Sequence, residues 1–114
     1  MADVDRLVEA RRLATKRGNG ALDALRREIL GEISASLGRA EEHILKSLAR
    51  LKALEVELDT EPSVRARSSI LQDYAHERAL LQRRRWELEV QREALGLRHH
   101  AILEEKYPIP PPRR

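Results

Sequence analysis

The stretch LQDYAHERALLQRRRWELEVQREALGLRHHAI, Leu71–Ile102, decides the fold class. Tyr74, Leu81, Leu88, Leu95 and Ile102 recur at every seventh position. A seven-residue apolar repeat is one column of a coiled-coil seam, because it returns to the same helix face every two turns. The companion column should also be apolar. It reads Leu71, Arg78, Arg85, Arg92 and His99 instead. A second apolar set, Ala79, Trp86, Val90 and Leu97, lies roughly 140–180° around the helix from Leu81. One neighbouring helix cannot cover both faces, so this stretch predicts a helix with more than one packing partner.

Upstream, Ile33, Leu37, Ala40, Ile44, Leu48, Leu51 and Leu58 form a second helical stripe, extended toward the N-terminus by Leu22, Ile29 and Leu30. The segment Asp59-Thr60-Glu61-Pro62-Ser63 separates the two patterns. A connection this short folds helices back on each other as an antiparallel hairpin. Gly18-Asn19-Gly20 predicts an earlier break, with Gly18 ending a first helix and Asn19 capping the next. The expected elements are helices over about 3–17, 21–58 and 63–106, followed by a tail. The corresponding regions are 1–20 (short helix and turn), 21–107 (hairpin) and 108–114 (proline-rich tail). Asp3 and Asp5 suit the first turn and Lys16-Arg17 the last turn of the first helix. Thr60 or Asp59 is the expected cap of the third, with Pro62 in its first turn.

Composition agrees with an all-α fold. The 114 residues hold 18 Leu and 18 Arg, no Phe, no Cys and three aromatics. Sandwiches and barrels draw on aromatic and β-branched residues and on frequent Gly turns. The lack of Cys excludes disulfides, thiolate zinc sites and Cys nucleophiles. No apolar run approaches the ~18 residues of a membrane span, and no signal peptide is expected, so the reading is a cytoplasmic protein. Residues 21–61 carry net charge −3 and residues 62–107 net charge +2. Pairing an acidic helix with a basic one favours the hairpin. A turn near 60–61 predicts Glu55 facing Arg67 and Glu41 facing Arg78. It also sets Arg85 and Arg92 opposite Ser36 and Ile29, with no intrachain acid in register. Their guanidiniums must then reach water or find a partner's carboxylate or phosphate.

Arg83-Arg84-Arg85 beside Trp86, with Arg78 and Arg92 nearby, is the densest basic patch. Phosphate contact by these arginines with base stacking on the indole is one reading. Trp and Arg are also the common anchors of protein interfaces, and Glu77, Glu87, Glu89 and Glu93 dilute the positive field. Protein contact is therefore preferred, through Ala79, Arg85, Trp86, Val90, Arg92 and Leu97. Asp73 and His76 have a carboxylate–His spacing, but no further ligand converges on them, and no metal or other cofactor is expected. His99 and His100, with Glu104 one turn on, read as cations near a helix C-terminus. No phosphate loop or Ser/His/Asp set is discernible.

Pro108-Ile109-Pro110-Pro111-Pro112-Arg113 fits a P-x-x-P-x-R pattern, and Pro108, Pro111 and Arg113 resemble the ligands of SH3-like domains. Such a segment adopts polyproline II readily. Tyr107 and Ile109 add a short apolar docking element. The whole architecture resembles the helical-hairpin stalk and chaperone subunits of rotary ATPases and secretion machines, without a family motif. The expected function is non-enzymatic: a helical scaffold, adaptor or assembly subunit that completes a bundle as a homo-oligomer or with a protein partner. The alternative is a nucleic-acid-associated protein using Arg78, Arg83, Arg84, Arg85 and Arg92.

Overall fold

The computed structural model describes residues 2–114, without the side chains of residues 2 and 14–17. The expected Lys16-Arg17 end charges fall among those side chains and lie outside the described residues. Three helices follow in order: α1 over Ala2–Asp59, α2 over Val64–Ala94 and α3 over Ala101–Lys106. No strand occurs among the described residues. The chain divides into two units, residues 1–36 and residues 37–114.

The break expected at Gly18-Asn19-Gly20 does not occur, because α1 runs through it. Neither Gly18 nor Gly20 takes positive φ. A helical glycine costs about 1 kcal/mol relative to Ala, which weakens a helix without stopping it. Leu, Ala, Arg and Glu on both sides supply the compensating propensity, and no Pro interrupts residues 2–59.

Helix α1 ends where Thr60 Oγ1 donates to Glu57 O at 2.6 Å and Glu61 adopts φ of 55°. Ser63, rather than Thr60 or Asp59, caps α2: its Oγ accepts from Ala66 N at 3.2 Å. Pro62 therefore precedes the cap instead of entering the first turn.

The seven-residue column is cut after Leu88. Tyr74, Leu81 and Leu88 are buried, but Leu95 and Ile102 are exposed. The cause is Gly96, at φ of 86°. Leu97 N donates to Arg92 O at 3.0 Å and Gly96 N to Glu93 O at 2.9 Å. This is a Schellman ending, in which a left-handed residue turns the last amide donors back onto the final carbonyls. The expected single helix over 63–106 is thus two helices, and the chain reverses between them.

In residues 37–114, α2 lies antiparallel to the last part of α1. Tyr74 reaches Glu55, Glu77 reaches Arg50, and Arg84 reaches Ser47 and His43. These contacts place α2 further along α1 than a turn at 60–61 predicts. The expected Glu55–Arg67 and Glu41–Arg78 pairs give way to Glu55–Tyr74 and Glu41–Lys106. Two causes act together. The connection Thr60–Ser63 is centred later in the chain, and the seam contains the polar residues Glu77 and Arg84, which need these partners.

The C-terminal segment forms a third layer. It returns antiparallel to α2 and parallel to α1, and it closes the core over Ile44, Leu51, Tyr74, Leu81 and Leu88 with Leu103 and Tyr107. Lys106 pairs with Glu41 and Arg113 with Asp59. Residues 106–113 therefore run alongside residues 41–59 of α1. All-α architecture and an antiparallel helix pair are therefore present, with an intrachain third layer that the periodicity did not foretell.

Candidate functional site

The third layer is held by a row of donors on one side of α2. Arg67 Nη2 donates to Arg114 O at 2.8 Å, Tyr74 Oη to Pro111 O at 2.9 Å, and Arg78 Nε to Pro110 O at 2.8 Å. Arg85 Nη1 donates to Tyr107 O at 3.3 Å and Arg92 Nη2 to His99 O at 3.0 Å. The residues 78, 85 and 92 are the arginine column that replaced an expected apolar one. Their spacing sets them along α2 so that each meets the returning backbone once. Arg85 also pairs with Glu104 at 3.6 Å. Arg85 thus meets a carbonyl and a carboxylate of this chain, and Arg92 a carbonyl.

The opposing wall, on α1, is acidic. Asp59 takes Arg113 at 3.2 Å and Glu41 takes Lys106 at 3.8 Å. The groove thus offers hydrogen-bond donors from α2 and negative charge from α1. The Tyr74 hydroxyl has one proton and two acceptors, Glu55 Oε1 at 3.1 Å and the Pro111 carbonyl. Burial, and then the Glu55 carboxylate, push the Tyr74 phenol above its ordinary value, because both oppose the phenolate. The Lys106 ammonium is also raised, first by the Tyr107 side chain and then by Glu41.

The hinge end of the groove is less well satisfied. His100 Nε2 meets Glu93 Oε1 at 3.1 Å, while Gln91 Oε1, Arg92 Nε and His100 Nδ1 are enclosed without a hydrogen-bond partner. His100 therefore pairs with Glu93, not with Glu104 as its helical spacing suggested, because the chain reverses at Gly96 before reaching it.

The residues expected to share one binding face are dispersed. Trp86 and Val90 are exposed on α2, and Trp86 keeps 61% of its surface. Ala79 is exposed on the same helix. Leu97 follows the Schellman turn and is not on α2, so it does not extend that face. Arg85 and Arg92 point into the groove. The five arginines of the basic patch have separate partners within the chain. Arg78, Arg85 and Arg92 hold the C-terminal segment, and Arg84 donates to His43 O and Ser47 Oγ at 2.8 and 2.7 Å. Arg83 pairs with Glu87 at 3.4 Å. The tail motif is likewise occupied: the Pro111 carbonyl accepts from Tyr74, and Arg113 is on Asp59, while Pro108 is exposed. Asp73 and His76 are exposed. No group of three or more metal-ligating side chains occurs among the described residues, and none of their helices is long and apolar enough to cross a membrane.

Leu103 and Arg67 are groove residues that periodicity alone did not single out. The available signal was the Leu95-Gly96-Leu97 sequence, which fits a helix ending as well as it fits a tolerated interior glycine.

A second feature lies in residues 2–36. Val4, Leu7, Val8, Leu22, Leu25 and Ile29 are all exposed. At about 100° per residue they fall on one stripe about 100° wide. In the sequence the same spacing recurs at Ala40, Ile44, Leu51 and Leu58, which are half-buried or buried. Comparison with protein-family models, curated proteins and solved structures gives no match.

Proposed function

We propose that this chain is a non-enzymatic helical scaffold or assembly subunit, binding a second copy of itself or a protein partner through apolar helix faces. The observation that carries the reading is the exposed stripe Val4, Leu7, Val8, Leu22, Leu25 and Ile29. Most helical stability in proteins comes from packing an apolar face, and the two glycines weaken this stretch. An apolar stripe at helical spacing is what another helix covers in a bundle. Trp86 and Val90 supply a second, smaller face on α2, with the indole as its anchor.

The principal interface is the α1 stripe. Arg85 and Arg92 contact the C-terminal segment, so specificity at the Trp86 face rests on shape and apolar contact. A cytoplasmic setting and the absence of an enzymatic role belong to the same proposal.

Size-exclusion chromatography with light scattering tests it. The chain mass is 13.1 kDa. Self-association predicts a multiple of that mass, reduced to one chain by Leu25→Glu plus Ile29→Glu. A protein partner predicts a monomer that captures a binder from its native host, released by the same substitutions. Trp86→Ala should weaken either complex less. A monomer whose captured proteins are indifferent to all three changes would refute the proposal.

A further inference from the structure

The C-terminal segment sits in its groove as a bound peptide does, with its main chain read by side chains. The α2 wall offers donors there: the guanidiniums of Arg67, Arg78 and Arg85 and the hydroxyl of Tyr74, each directed at a backbone carbonyl. A polyproline II chain makes no internal hydrogen bonds, so its carbonyls are free to accept from such a wall. Proline favours that conformation and keeps its carbonyl. Four of the eight residues 107–114 are proline. The α1 wall adds Asp59 and Glu41, which take cations at the two ends of the extended run. Between them the Tyr107 ring is buried and Ile109 is packed against the core.

We infer that the α1/α2 groove is a binding site for extended proline-rich segments flanked by basic residues, of the form Lys-aromatic-Pro-x-Pro-Pro-Pro-Arg. The chain's own tail is its resident ligand, and a proline-rich segment supplied in trans can replace it. The connection that lets the tail leave is Leu95–His100. It contains Gly96 at positive φ, and Leu95 to His99 are exposed. The enclosed, unpartnered atoms of Arg92 and His100 lie at the same end, so release starts where the contacts are least complete. The inference concerns residues 37–114 and does not depend on the stripe in residues 2–36.

The probe is a fluorescein-labelled peptide, AILEEKYPIPPPRR, corresponding to residues 101–114. Its binding is followed by fluorescence anisotropy with full-length protein. The receptors are the unsubstituted chain and two chains with a weakened tail, Arg113→Glu and Leu103→Ala plus Arg113→Glu, each checked for helicity by circular dichroism. A tethered tail competes at millimolar effective concentration, so the peptide should bind a weakened chain at least tenfold more tightly than the unsubstituted one. Arg78→Gln plus Arg85→Gln in the weakened background should reduce binding at least tenfold. A peptide with Ala at positions 110 and 111 should bind more weakly than the proline form, because it loses the pre-ordering of the extended chain. No saturable binding to a folded weakened chain would overturn the inference. So would binding that ignores both the arginine and the proline substitutions, which would mark adhesion to an apolar face outside the groove. Arg113→Glu alone removes only a rim contact, and its folded state keeps the test decisive if the double variant unfolds. The mass measurements above read self-association separately.

Discussion

Two stretches of the α1 sequence carry the same apolar periodicity and have opposite fates. Ile44, Leu51, Leu54 and Leu58 are buried under α2 and the C-terminal segment, whereas Val4, Leu22, Leu25 and Ile29 remain exposed. Sequence periodicity describes both parts equally well. What separates them is coverage, and coverage is set elsewhere in the chain. Gly96 stops α2 and sends residues 97–114 back over residues 37–59, so the third layer thickens an existing core. An apolar stripe states that something must cover it. It does not state what.

That contrast can be broken most severely in the covered part. Leu81→Ala removes a side chain with no exposed surface from the centre of the core. Substitutions of this kind cost about 2–5 kcal/mol, read as a lower denaturant midpoint. Leu25→Ala, at a half-exposed site, should change the unfolding free energy of the monomer by about 0.5 kcal/mol or less. Equal losses at the two positions would show that residues 2–36 are packed as tightly as the core.

A smaller effect is expected at the turn that directs coverage. An added Cβ at Gly96 meets nothing within 4 Å, so its cost comes from the backbone alone. Gly96→Ala at φ of 86° should lower stability by about 1–2 kcal/mol. The loss should be accompanied by weaker protection of residues 101–107 in hydrogen exchange. An unchanged midpoint would contradict the Schellman ending. Gly18→Ala and Gly20→Ala should act in the opposite sense. Each should strengthen α1 by up to about 1 kcal/mol, seen as increased helicity in circular dichroism. A loss of helicity would instead mean that this tripeptide forms a turn.

A pH-dependent effect is expected at Tyr74. Its raised phenol means that the folded chain favours the protonated form. That stability is fully present below the ordinary phenol value of about 10 and is lost as pH rises through the higher folded value. Tyr74→Phe should cost about 1 kcal/mol at neutral pH. It should also flatten the alkaline fall in stability, compared with the unsubstituted chain between about pH 9 and 12. Lys106, raised in the same direction, leaves a residual alkaline slope in that variant. An identical slope in both proteins would remove Tyr74 from the account.

Much of the architecture was legible because it depends on local rules. The stripe of α1, the short Asp59–Ser63 connection and the opposite charges of its flanks all point to an antiparallel pair. The arginine column was legible as a problem, since Arg85 and Arg92 needed acceptors that the hairpin did not supply. Its answer was not, because it required residues 97–114 to return. Helical spacing favoured one uninterrupted helix there, with Leu95 and Ile102 in phase with Leu88. Gly96 overrides that phase through backbone geometry, to which a count of apolar residues is blind. The register differs for a related reason. The turn position alone does not fix it, because Glu77 and Arg84 occupy the seam and align with Arg50, Ser47 and His43. For the candidate site, Tyr107 and Ile109 are visible in the sequence as an apolar element, and Pro108, Pro111 and Arg113 as a ligand pattern. In the structure Pro111 and Arg113 contact Tyr74 and Asp59 of the same chain.

Residue-resolved hydrogen exchange along α1, at several protein concentrations, tests the central contrast most directly. The account predicts that amides of 44–58 exchange only with global unfolding at every concentration. Amides of 22–30 should exchange far faster in dilute protein, and gain protection as self-association or an added partner covers their stripe. Uniform strong protection along the whole of α1 in dilute, monomeric protein would contradict it.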